Sequence, residues 1–154
     1  LADQDRGLWD RDLIREGHAL VRACLRRNRP GPYQIQAAIA AVHTDAETSD
    51  ATDWTQIVAL YDQLHALRPN QVVALNRAIA VGELRGAARG LALLDDLDVE
   101  RLVEYQPYHA ARADLLARAG RTADAVTAYE QAIALTTNAA ERAFLIRQRR
   151  AVGT

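Results

Sequence analysis

Two stretches of the chain can be laid on one another. Tyr129-x-x-Ala132-x-x-x-x-Thr137 is matched 68 residues earlier by Tyr61-x-x-Leu64-x-x-x-x-Pro69. The interval is two steps of about 34 residues, room for two short helices and their turns per step. Stepping back 35 residues from Tyr129 reaches Leu94, in the unit between. Ala38, Ala78 and Ala113 hold the matching small-residue position of each unit's first helix. Ile57, Gly90 and Ala125 stand four residues before Tyr61, Leu94 and Tyr129. One such unit cannot bury its apolar face alone, so neighbouring units must stack.

The units are helical. Ala fills 31 positions, and Leu, Arg, Glu and Gln supply much of the rest, all good helix formers. Leu13, Ile14, Gly17, Leu20, Val21, Cys24 and Leu25 form one stripe of a helix expected from Arg11 to Asn28, stopped by Pro30-Gly31-Pro32. A second helix is expected from about Tyr33 to His43. The polar stretch Thr44 to Thr52 reads as an enlarged turn. Asp53 with Gln56, and Asn138 with Glu141, have capping-box spacing. Arg68-Pro69-Asn70 ends one helix and caps the next, Gly86 breaks that one, and Gly120-Arg121-Thr122 separates two more. No alternating pattern is long enough for a strand. The span from Tyr108 to Thr137 most resembles a tetratricopeptide (TPR) unit, with Ala113, Leu116, Gly120, Ala125, Tyr129 and Ala132 at its small and aromatic positions. The expected fold is therefore all-α, a TPR-like α-solenoid of antiparallel helix hairpins, about seven to eight helices in a single domain over 1–154.

Charge excludes some functions. Nineteen basic residues, all Arg, face 20 acidic ones for a formal net charge of −1. That is no bulk-cationic nucleic-acid binder. One cysteine, Cys24, excludes an internal disulfide framework and a multi-Cys zinc site, and its place on an apolar stripe reads as a small hydrophobe. His18, His43, His65 and His109 show no ligand spacing. Asp45, Glu47, Asp50 and Asp53 lack the glycine and distal glutamate of a calcium loop. No catalytic, cofactor or metal constellation emerges, and the chain is not read as an enzyme. The candidates are interaction surfaces. Arg11, Arg15, Arg22, Arg26 and Arg29, with His18, lie within about 80° on the first helix, a basic strip of roughly 27 Å suited to an acidic protein surface or a phosphate backbone. Ile35, Gln36, Ile39, Val72, Asn76 and Ile79, with Leu75, Ala110 and Asp114, are expected to line the concave groove of a TPR stack. The groove lacks the lysines that clamp a carboxylate in chaperone-binding TPRs.

Five ordered segments carry a second resemblance. They are Leu1-Ala-Asp-Gln-Asp-Arg-Gly-Leu-Trp-Asp10, Gly31-Pro-Tyr-Gln-Ile-Gln-Ala-Ala-Ile-Ala-Ala-Val-His43, Ala51-Thr-Asp-Trp54, Val73-Ala-Leu-Asn-Arg-Ala-Ile-Ala-Val81 and Tyr108-His-Ala-Ala-Arg-Ala-Asp-Leu-Leu116. Together they resemble the C-terminal TPR-like extension of bacterial extracytoplasmic-function (ECF) RNA polymerase sigma factors. The resemblance implies a cytoplasmic regulatory domain that acts in transcription initiation by contacting the sigma domains of its own chain, or core RNA polymerase. Promoter DNA would be read by upstream domains absent from this sequence. Trp9 would sit near the junction. The missing Met fits a piece of a longer protein, and arginine without lysine fits a GC-rich bacterial genome. The alternative is an independent TPR adaptor that binds a peptide or helix in its groove. No cofactor, membrane or small-molecule partner is expected.

Overall fold

The computed structural model describes residues 5–27 and 30–153. Among them are eight α-helices and no strand: α1 (Arg11–Leu25), α2 (Pro32–Asp45), α3 (Trp54–Leu67), α4 (Gln71–Arg85), α5 (Ala87–Asp95), α6 (Gln106–Arg118), α7 (Thr122–Leu135) and α8 (Ala139–Val152). The fold is all-α and repeat-like. The chain divides into two compact units, Leu1–Val73 and Ala74–Thr154.

The helix boundaries follow local chemistry. Asp10 starts α1 by accepting from the backbone N–H groups of Asp12 and Leu13. Pro32 occupies the first turn of α2, and Gly31 N–H donates to Gln34 Oε1 at 3.1 Å. Asp53 caps α3 by accepting from Gln56 N–H at 3.0 Å. Asn70 caps α4 by accepting from Val73 N–H at 2.9 Å. Gly86 sits at φ +90° between α4 and α5, a backbone conformation that side chains resist. Asn138 caps α8, accepting from Ala140 and Glu141 N–H. Glu141 does not close the expected box. It accepts instead from the Thr136 hydroxyl, which itself accepts from Asn138 N–H, so a buried threonine relays the cap.

In the first unit α1 packs on α2 and α2 on α3. The core holds Ile35, Ala38, Ile39 and Val42 from α2 and Ile57, Val58 and Leu64 from α3. His43 meets the Trp54 ring edge-on, centroids 5.3 Å apart, and ties the end of α2 to the start of α3. The expected enlarged turn includes a 3-10 turn, Ser49–Ala51, followed by buried Thr52.

In the second unit α5, α6, α7 and α8 pack in succession. Ala113, Ala125 and Ala132 are fully buried, with Leu116 and Tyr129 beside them. These small residues at helical spacing let α6 and α7 approach closely, and the tyrosine fills what remains. α4 and α5 cross at a glycine pair: a Cβ on Gly90 would fall 2.9 Å from Gly82 Cα. Leu115 of α6 seals that crossing. Glu83 of α4 and Asp95 of α5 are each held by an α6 arginine, Arg118 and Arg112 respectively.

Candidate functional site

Among the described residues, α1, which carries the basic strip, is the α-helix with no buried side chain. Its apolar stripe is therefore not the core face that periodicity predicts: Leu13 and Leu20 are 65% and 61% exposed, and Leu25 is exposed as well. Ile14, Gly17, Val21 and Cys24 are half-buried. The α2 side of α1 is fixed by polar contacts. His18 Nε2 lies 2.7 Å from Thr44 Oγ1, and its Nδ1 lies 3.1 Å from Asp45 Oδ1. At 100° per residue Leu13 and Leu20 share one side, about 170° from the centre of the arginine strip. α2 covers part of the stripe and leaves the flank with these two leucines open.

Arg11, Arg15, Arg22 and Arg26 are exposed, and Arg15 is paired with Asp12. Arg29 lies outside the described residues. His18 does not belong to the exposed strip, because it is turned against α2. Trp9 is half-buried and stacked under Arg6, whose guanidinium carbon is 4.9 Å from the ring centroid. Arg6 is itself buried and donates to the carbonyls of His43, at 2.9 Å, and Ala46. A cation at the C-terminal end of α2 satisfies carbonyls that the helix leaves open. Burial, with the Arg6 charge second, holds the His43 imidazole below its usual pKa. Periodicity gives no hint of Arg6, since it reaches across about 40 residues.

The residues read as groove lining separate into two kinds. Ile35 and Ile39 are buried in the first unit's core and are closed to a ligand. Leu75 is likewise in the second unit's core, and Ile79 packs against that core. Gln36 and Val72 are exposed, and Asn76 is half-buried. His109 is buried with Nε2 2.8 Å from the Val103 carbonyl. Among the described residues no group of three or more His, Cys, Asp or Glu could hold a metal ion. Nor is any helix among them long and apolar enough to cross a membrane.

The sequence is similar to an uncharacterized protein of Rhizobium meliloti (strain 1021), 50% identical over 145 residues. The match takes in 94% of this chain but 34% of the relative, so the chain spans about a third of that relative's length. No family model and no solved structure matches the chain.

Proposed function

We propose that this chain is the regulatory, protein-interaction part of a longer ECF-type sigma factor, docking on the sigma domains of the same protein or on core RNA polymerase. The observation that carries the reading is the open flank of α1. Two leucines one heptad apart stand in solvent on an amphipathic helix otherwise well formed and well capped. A helix face of that kind is suited to cover by another element. The relative's much greater length and the five ordered segments support a cover from the same longer protein. The exposed arginines of α1, on the opposite side of the helix from these leucines, would steer an acidic partner toward the domain through long-range attraction. The cytoplasm follows from the partner, since that is where the polymerase works. The adaptor reading has less support, because Ile35 and Ile39 are spent on the core.

The test has two arms. In a promoter-reporter assay, a parent protein that lacks residues 1–154 should differ in output from the full-length parent, and equal output overturns the regulatory role. In a binding assay with purified sigma domains and core polymerase, Leu13→Gln/Leu20→Gln should weaken the complex roughly 100-fold, since each leucine contributes about 1.5–3 kcal/mol on burial. Both side chains are solvent-exposed, so the melting temperature of the isolated chain should hardly move. Charge reversal of Arg15, Arg22 and Arg26 should mainly slow association.

A further inference from the structure

A cleft of about 300 Å³ opens between α4 and α5 in the second unit. Arg77, Val81 and Arg85 line it from α4, at i, i+4 and i+8 on one helix side. Arg89 and Leu93 line it from α5, and Asp96 from the cap that follows α5. The Gly82–Gly90 crossing brings the two rows together. Val81 is buried and Leu93 half-buried, so the cleft has an apolar floor beneath charged walls.

Its charge is not balanced from within. Two exposed guanidinium groups, Arg85 and Arg89, share the cleft with one carboxylate, Asp96. The nearest other acids along α4 and α5 are committed elsewhere, Glu83 to Arg118 and Asp95 to Arg112. Arg85 and Arg89 flank the Gly86 turn and make no ion pair among the described residues. Guanidinium forks match the planar or tetrahedral oxygens of carboxylates and phosphates. The volume is at the small end of ligand sites.

We propose that this cleft is a binding site for a small dianion with a short apolar body, a phosphomonoester or a dicarboxylate, held by Arg85 and Arg89 over Val81 and Leu93. Such a ligand would give the domain a chemical input independent of its docking helix.

The test is an amide NMR titration of the 154-residue chain with phenyl phosphate and, separately, with glutarate, against sodium chloride at matched ionic strength. Saturable shifts in α4 and α5 with either probe are expected, and the probe that saturates identifies the oxyanion. Arg85→Ala and Arg89→Ala should each weaken binding roughly tenfold, as expected for loss of one charge-assisted contact. The double variant should abolish saturation, while Arg27→Ala should leave it unchanged. Both cleft arginines are exposed, so these variants should fold, which the amide spectrum itself reports. Shifts that follow ionic strength without saturating for both probes overturn the proposal. So does saturable binding that survives the double variant.

Discussion

Replacing Gly90 by leucine should unfold the second unit, and even Gly90→Ala should lower its stability. A Cβ at position 90 would lie 2.9 Å from Gly82 Cα, 3.0 Å from the Ala78 carbonyl oxygen and 3.0 Å from Leu115 Cδ1. Two of those three atoms are backbone, so α4 and α5 must move apart before any side chain fits. Overpacking of this kind costs about 1–3 kcal/mol for one added methyl, against roughly 1 kcal/mol returned by the better helix propensity of alanine. A leucine adds three more carbons at the same crossing. The total should then approach the roughly 5–15 kcal/mol that holds an ordinary domain together. Gly82 gives the contrast. Its Cβ would meet Leu115 Cδ2 at 2.6 Å, the far end of a flexible side chain. Gly82→Ala should therefore be milder than Gly90→Ala. Leu115→Ala alone should cost about 2–5 kcal/mol through its cavity. Adding Gly82→Ala to it should cost less than the two separately, because the new methyl enters space that the leucine has left. Urea denaturation of the five variants measures all of this. Additive behaviour of Gly82→Ala and Leu115→Ala would refute the stated packing.

Tyr129→Ala should cost about 3–5 kcal/mol, and Tyr129→Phe should change how stability depends on alkaline pH. The Tyr129 ring is buried among the small residues of α6 and α7. Burial, aided by the Asp114 charge, pushes its hydroxyl from 10.0 up to about 12. Between those values the unfolded chain has lost this proton and the folded chain has kept it. Raising pH through that window therefore favours unfolding. The contribution is fully present below about pH 10 and lost by about pH 12, on the order of 2–3 kcal/mol in all. Tyr129→Phe should flatten the alkaline limb of a stability–pH curve. Some slope should persist, because burial also raises the Tyr61 hydroxyl. An unchanged limb would mean that Tyr129 ionises as freely folded as unfolded.

Much of this fold is legible in the residues. Asp53, Asn70 and Asn138 cap where Asx residues before apolar runs should cap. Gly86 breaks a helix for the expected steric reason. The repeat register through Ala113, Ala125 and Tyr129 marks what is buried in the second unit. Periodicity stops short where a second partner decides. It places Ile35 and Ile39 on one helix face but does not say whether the unit's own core or a ligand covers them. It places Leu13 and Leu20 on the apolar stripe of α1 but does not say that α2 covers only part of it. The Arg85 and Arg89 cleft depends on two helices crossing. Gly82 and Gly90, eight residues apart with a turn between, were the available signal.

The weak anchorage of α1 has a consequence for how the molecule comes apart. With no buried side chain of its own, this helix rests on half-buried apolar contacts and the His18 contacts with Thr44 and Asp45. Its amides should exchange with solvent deuterium through a local opening far less costly than global unfolding, while those of α6 and α7 wait for the whole unit to open. A partner that closes on Leu13 and Leu20 should then slow exchange across all of α1, turning the first foldon to open into one of the last.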